Sequence, residues 1–286
     1  MKITEIIKSS KPSLSFEVFP PKTSDSFDSV MQQAESIAKL NPSFMSVTYG
    51  AGGGTSAYTA EIASRLLSCG VTPVAHLTCV CSTKERIHDL LVDLKARGIE
   101  NILALRGDIP DGMNTENVSY KYASDLTAEI RAFGSFCIGG ACYPESHPES
   151  AGCAFDIENL KRKVDSGCEF LTTQMFFDND ILYNFMYRLL KAGVDVPVIA
   201  GIMPVTNAKQ IKRIISISHN ALPQRFIRLV DRYGDNPVAM RQAGIAYATQ
   251  QIIDLYANGI NAVHVYSMNN PLVAKGIKEN LSEILK

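Results

Sequence analysis

Residues able to do chemistry stand out where the sequence sets them in apolar runs: Glu17 in residues 13–20 (SLSFEVFP), Arg106 and Asp108 closing residues 101–108 (NILALRGD), and Gln174 in residues 170–177 (FLTTQMFF). A carboxyl group flanked by Phe16 and Val18 must either pair with a cation or keep its proton, because its charged form loses water on burial. A raised pKa suits a general acid at neutral pH, and a structural ion pair is the competing account. Asp108 can hold a proton or support a cation, Arg106 can meet phosphate or another anion, and the two can equally pair with each other at a strand end. Gln174 carries both a donor and an acceptor, which suits an amide-like ring edge or a neighbouring strand. His76 shares a strand face with Val74 and Thr78; a lone strand histidine is more often a hydrogen-bonded core residue than a catalyst.

A second group is polar and irregular. Tyr143-Pro144-Glu145-Ser146-His147-Pro148-Glu149 follows an apolar run, and its two prolines stiffen a loop that offers stacking and hydrogen-bonding surfaces. The next helical pattern places Asp156, Asn159 and Lys163 on one polar stripe with Arg162 alongside, which reads as a solvated face unless the loop turns it into an adenine and diphosphate site. The seven cysteines are scattered through apolar segments and suit reduced thiols; Cys79 and Cys81 share a strand face, but no spacing completes a metal site, so none is expected.

These groups need a frame, and the pattern supplies one. Short β-branched or apolar runs at 13–20, 44–50, 72–80, 101–108, 137–145, 170–177, 197–205 and 262–268 read as strands. Amphipathic runs near 25–39, 55–69, 83–96, 121–133, 156–166, 179–192, 207–217, 235–257 and 271–285 read as helices. Thr83 and Asp178 or Asn179 are N-cap candidates, and glycines at 70, 98, 134, 167, 193 and 259 follow helices. Eight strand–helix pairs predict an α/β fold, a (β/α)8 TIM barrel, with an extra helical excursion at 219–258 before the last strand. The whole of residues 1–286 is expected to form this single domain. Gly50-Ala51-Gly52-Gly53-Gly54 lacks the Gly-x-Gly-x-x-Gly spacing that a doubly wound sheet would require. In such a barrel Glu17 points inward with Ser15 and Phe19, and the 106–108 and 143–149 segments fall on the C-terminal rim.

With 28 basic and 29 acidic residues the chain has no general drive toward nucleic acid or an anionic membrane. No stretch reaches membrane-span or signal-peptide form, so a cytoplasmic protein is expected.

The segments Ser15-Phe-Glu17-Val-Phe-Pro-Pro-Lys22, Ser46-Val-Thr-Tyr49-Gly-Ala51, Ala75-His76-Leu-Thr78, Leu105-Arg-Gly-Asp108, Tyr143-Pro-Glu-x-His147-Pro-Glu149, Asn159-Leu-Lys-Arg-Lys163 and Gln174-x-Phe-Phe-Asp178 occur in that order. Together they resemble the bacterial methylenetetrahydrofolate reductase family over roughly residues 13–270. The resemblance implies an FAD-dependent oxidoreductase that takes electrons from NADH or NADPH and reduces 5,10-methylenetetrahydrofolate to 5-methyltetrahydrofolate by a ping-pong mechanism, in one-carbon metabolism leading to methionine. It makes Glu17 the donor that opens the methylene bridge and Asp108 the group that supports the cationic iminium and contacts the pterin. Gln174 would bind pterin and contact the nicotinamide, and Gln210 would line the substrate side. Tyr49, Ala51, His76, Arg106, Gly107, Asp108, Ala123, Tyr143, His147, Ser150, Asp156, Asn159, Arg162 and Lys163 would surround FAD, with Thr48 near the donor; Ser150 stands where relatives often have Ala. Asn270 stands where the family commonly has an Arg that could pair with the folate glutamate tail, and Ile214 where some relatives place an aromatic residue.

The resemblance also implies a chain without the C-terminal regulatory domain of eukaryotic relatives. A homo-oligomer is expected, and an electron-delivering partner protein is an alternative to the free nicotinamide. Two other readings stay open. A pterin- or homocysteine-linked methyltransferase barrel is faintly suggested by Gly139-Gly140-Ala141-Cys142, although the adjacent cysteine pair is absent. A non-catalytic flavin- or folate-binding subunit would have no need of an inward acid.

Overall fold

The computed structural model describes residues 1–286 except 10, 22, 50–55, 110, 111, 113–117, 210, 212, 213 and 215–221. Eight parallel strands close into a barrel in chain order: β1 (Ser13–Val18), β2 (Met45–Val47), β3 (Pro73–Thr78), β4 (Asn101–Leu105), β5 (Cys137–Cys142), β6 (Phe170–Thr173), β7 (Val198–Ile202) and β8 (Ala262–Val265). Closure is set by β1, which pairs with β2 on one side and β8 on the other. The register puts Glu17 beside Ser46 and Ser15 beside His264. Every strand is therefore flanked on both sides, and side chains alternate between the barrel interior and the helical shell.

The shell consists of α2 (Phe27–Ala38), α3 (Ser56–Ser68), α4 (Lys84–Ala96), α5 (Ala123–Phe133), α6 (Cys153–Asp165), α7 (Asn179–Lys191) and a last helix at Pro271–Asn280. Both expected caps form: Thr83 accepts from the Arg86 amide at 3.2 Å and Asp178 from the Asp180 amide at 3.1 Å. The six glycines expected after helices all have positive φ. The excursion contains two helices, Gln224–Tyr233 and Pro237–Ala257, where the sequence pattern suggests one. Most of the helix expected at 207–217 lies outside the described residues.

The strands are shorter than their apolar runs. β2 ends at Val47, β5 at Cys142 and β6 at Thr173, so Thr48, Tyr49, Tyr143 and Gln174 sit in rim segments just past the ladder. Backbone bonds still reach these segments, from the Thr48 amide to the Val18 carbonyl at 2.9 Å and from the Gln174 amide to the Cys142 carbonyl at 2.7 Å. Cys79 and Cys81 also follow a strand end rather than sharing a face, one buried and the other exposed.

An N-terminal helix absent from the sequence reading, α1 (Ile3–Ile7), closes the bottom of the barrel. The Ile3 amide donates to Asn101 Oδ1 at 2.9 Å, and Ile3 packs with Phe44, Val74, Leu103, Cys137, Phe170, Ile199 and Ala262 in the lower interior layer. This layer explains Gly139 of β5, and the helical side of the strand explains Gly140. A Cβ on Gly139 would lie 2.3 Å from the Phe170 ring, and one on Gly140 would lie 2.6 Å from the Lys163 stem. The feature that suggested a methyltransferase is thus a packing requirement. No described helix is long and apolar enough to cross a membrane.

Candidate active site

Above the lower layer, a cavity of about 680 Å³ opens toward the C-terminal rim. Its lining includes Glu17, Thr48, Tyr49, His76, Arg106, Gly107, Asp108, Ala123, Tyr143, His147, Lys163 and Gln174. The fold thus gathers residues from six strand ends into one concave site within the size range typical of small-molecule pockets.

Glu17 points into this cavity, its side chain only 19% exposed. Burial pushes its carboxyl up to about 8, against a smaller lowering assigned to the Ser46 hydroxyl. The nearest basic group among the described residues is His76, whose Nε2 lies 3.7 Å from Glu17 Oε2. Burial pushes His76 down to about 3, so at neutral pH it carries no charge, and its Nε2 has no hydrogen-bond partner. Among the described residues, then, Glu17 has no charged partner for an ion pair. Two neutral groups face each other, and the carboxyl keeps a transferable proton.

Beneath Glu17 lies a polar cluster that local patterning did not single out. His264 Nδ1 is 2.7 Å from Ser15 Oγ, and His264 Nε2 is 2.8 Å from Ser46 Oγ. Phe44 stacks on the imidazole at 5.6 Å and Tyr266 meets it edge-on at 5.6 Å. Tyr266 donates to the Thr173 carbonyl, and a Cβ on Gly201 would stand 2.5 Å from that hydroxyl, so the glycine admits the ring. Next to this cluster Asn269 clamps the end of β1. It accepts from the Phe19 amide and donates to the Phe19 carbonyl, both at 2.9 Å. Ser267 donates to the Glu17 carbonyl at 3.2 Å.

The rim is charged. Arg106 makes a two-pronged contact with Glu149, at 2.6 and 2.8 Å, and not the local pair with Asp108 that the sequence allowed. Gly107 follows with φ of +85°, and a Cβ there would come within 3.0 Å of Thr78. The Tyr143 and His147 rings meet edge to face at 4.6 Å. His147 Nδ1 accepts from the Glu149 amide at 3.1 Å, which leaves Nε2 as the protonated nitrogen of the neutral ring.

The polar stripe of α6 divides into different roles. Asp156 is buried and accepts from the His147 amide at 3.3 Å, so it holds the loop in place. Lys163 turns inward and donates to the Ala141 carbonyl at 2.6 Å, and burial lowers its pKa. Asn159 is exposed, and Arg162 is exposed beside Glu158 at 3.7 Å. Neither lines the cavity, nor does Ser150, whose hydroxyl donates to the Gly152 carbonyl at 3.1 Å.

Gln174 lies one residue past β6, its Oε1 accepting from the Met175 amide at 2.9 Å, which leaves the amide NH2 facing the cavity rim. Ala51 and Gln210 lie outside the described residues. Ile214 lines the cavity and also belongs to the apolar cluster under the excursion helices. Asn270 has a structural role of its own. It is the N-cap of the last helix, accepting from the Leu272 amide at 3.1 Å and the Val273 amide at 3.4 Å. A separate polar groove of about 480 Å³, between Asp178, Arg225 and Asp254, lies on the outer surface and shares no lining residue with the cavity. Among the described residues no three His, Cys, Asp or Glu side chains are grouped to hold a metal ion.

A family model described as methylenetetrahydrofolate reductase matches residues 2–282. The chain is 36% identical over 299 residues to methylenetetrahydrofolate reductase (NADH) 1 of Zea mays, covering 99% of this chain and 50% of that protein. It is 34% identical over 269 residues to 5,10-methylenetetrahydrofolate reductase of Escherichia coli (strain K12), covering 94% of this chain and 90% of that protein. The chain thus spans about half the length of the plant relatives it matches and most of the bacterial one. Among solved structures, an uncharacterized protein from Clostridium thermocellum that binds two copies of 5-methyl-5,6,7,8-tetrahydrofolic acid superposes with a TM-score of 0.67 at 15% identity, covering 98% of this chain and 99% of that one, a likeness of fold. The match over nearly the whole chain, on a barrel whose cavity gathers the motif residues, means that the chain belongs to the methylenetetrahydrofolate reductase family.

Proposed function

We propose that this protein reduces 5,10-methylenetetrahydrofolate to 5-methyltetrahydrofolate, using a bound flavin and a reduced nicotinamide donor in alternation. The observation that carries this reading is a protonated acid, Glu17, facing an open cavity with no cation among the described residues to neutralise it. A binding-only barrel gains nothing from such a group, whereas opening a carbon–nitrogen bond needs a proton at the departing nitrogen.

The residues present fit FAD. Arg106 already grips a carboxylate with both guanidinium nitrogens, so the same fork can receive phosphate oxygens. Lys163 adds a cation from below, His147 offers an N–H, and the Tyr143 ring provides a stacking face. The unpartnered His76 Nε2 marks a polar atom left for a ligand. When bound, the flavin supplies hydride transfer.

The chain's own residues bind, orient and deliver a proton. Glu17 holds the proton on its carboxyl and gives it to the bridging amine of the folate. Asp108, at the rim beside Gly107, supports the positive charge that bridge opening leaves on the substrate. Gln174 turns its NH2 to the pterin edge. A single cavity that the nicotinamide and the folate would occupy in turn supports a ping-pong order. Purified protein extracted for flavin, and then assayed for folate-dependent reoxidation of its reduced flavin, tests the reading. Yellow protein that passes electrons to methylenetetrahydrofolate is expected. Protein that binds no added FAD, or whose reduced flavin ignores the folate, overturns it.

A further inference from the structure

We propose that His264 is a positioning residue: through Ser15 and Ser46 it fixes the direction of a hydrogen-bond chain, so that the chain ends on Glu17 with an acceptor and holds that acid in its protonated form. This rests on the reading of Glu17 as the proton donor.

Counting protons gives the direction. Ser15 Oγ lies 2.9 Å from the Val263 carbonyl, which can only accept, so the single hydroxyl proton of Ser15 is committed there. Ser15 Oγ also touches His264 Nδ1 at 2.7 Å, and with its proton spent it must accept; Nδ1 therefore carries hydrogen. The opposite tautomer would draw the Ser15 proton to Nδ1 and set two oxygen lone pairs against each other at 2.9 Å. Burial keeps His264 neutral, so Nε2 is bare and accepts from the Ser46 hydroxyl 2.8 Å away. Ser46 then has no proton left for Glu17, its neighbour in the β1–β2 register, and presents only lone pairs.

The consequence is a change of sign. A hydroxyl that donates to a carboxylate lowers its pKa, as Ser46 would at Glu17 were its proton free. With its proton engaged by His264, Ser46 can offer the neighbouring carboxyl only lone pairs, which favours the acid form. The other groups around Glu17 do not compete. His76 from β3 is neutral, Tyr266 after β8 is held neutral by burial far above its ordinary range, and Arg106, Asp108 and Tyr143 stand at the rim. The imidazole is held against rotation by Phe44 on its face and Tyr266 at its edge.

An infrared titration of the protonated-carboxyl carbonyl band, assigned by subtraction of Glu17→Gln, reads the Glu17 midpoint without using turnover. Ser46→Ala should lower the midpoint in the wild-type background, because an acceptor for the acid is lost. His264→Phe, which frees the Ser46 proton, should lower it by about one pH unit, a tenfold weaker hold on the proton. In the His264→Phe background Ser46→Ala should instead raise it. A merely structural role predicts no such reversal of sign. Should His264→Phe fail to fold, Ser15→Ala, which releases the tautomer, should lower the midpoint in its place. A midpoint that rises in Ser46→Ala on the wild-type background, or that is unmoved by both His264→Phe and Ser15→Ala, overturns the proposal. If the midpoints behave as stated while folate reduction ignores them, the acid role of Glu17 fails and the hydrogen-bond chain stands.

Discussion

The inner wall of the barrel and its rim handle polar groups in opposite ways. On the wall, His76 and His264 are buried and Glu17 and Tyr266 partly so, and loss of water moves each toward its uncharged form. On the rim, Glu149 is more exposed, 58% against 19% for Glu17, and it meets Arg106 as a charged pair in which each holds the other in its ionised state. The contrast follows from solvation: a carboxyl that loses water without gaining a cation keeps its proton, while one that meets a guanidinium at the surface gives it up. One cavity is thereby lined by both a protonated acid and a guanidinium. That division of labour suits a reaction needing both.

The largest effect should come from removing the stored proton. Glu17→Gln keeps the shape of the side chain and should slow folate reduction by about 10²- to 10⁴-fold, while flavin reduction by the nicotinamide donor is unchanged. Stopped-flow measurement of the two half-reactions checks this; equal loss in both would erase the distinction between wall and rim.

The same residue should shape stability against pH. The folded-state pKa of Glu17 is raised from 4.5 to about 8, so its contribution to stability is fully present below about 4.5 and is lost as the pH rises through about 8. The loss is at most on the order of 5 kcal/mol. Denaturant unfolding from pH 5 to about 9 should show this decline in the wild type and a flatter curve in Glu17→Gln. Parallel curves for the two proteins would mean that the wall does not hold Glu17 neutral.

At the rim the effects should be on binding. Arg106→Ala should weaken flavin binding by about 10- to 100-fold, the value of a charge-assisted contact, and the loss should shrink with added salt. Flavin fluorescence quenching measures it. Glu149→Gln, by contrast, should leave folding almost unchanged, because the pair is partly solvated.

The smallest effect tests a departure from the family pattern. Asn270→Arg removes the side-chain oxygen that caps the last helix, so it should destabilise the protein by about 1 kcal/mol. A thermal melt reads this directly. An unchanged melting point would show that the capping contacts are dispensable.

Much of this molecule was legible along the chain. The alternation of short β-branched runs with amphipathic ones gave the barrel, because strand and helix periods are local properties. The two-residue period of β1 turned Glu17 inward, and the caps at Thr83 and Asp178 and the glycines after helices marked boundaries. Local reading failed where a segment's role depends on what it meets. The α6 stripe reads either as a solvated face or, with the loop beside it, as one ligand site, yet it divides: Asp156 lies beneath the loop and Lys163 under β5, while Asn159 and Arg162 are exposed, because the neighbouring rim covers only part of that helix. Asn270 looks like a lost charge in a comparison of motifs, and only the following turn shows it to be a cap.

What the sequence determined by itself, then, was the fold and the presence of an acid facing a rim of polar motifs. Tertiary structure alone decided which partners those residues take: Arg106 with Glu149, Phe19 with Asn269, and Ser15 and Ser46 with His264. The residues in these contacts are separated by 43, 250, 249 and 218 positions. Barrel closure brings β1 against β8 and sets the direction of each hydrogen bond, and so the protonation of each group, by burial and by which atoms stand opposite. No local period encodes that.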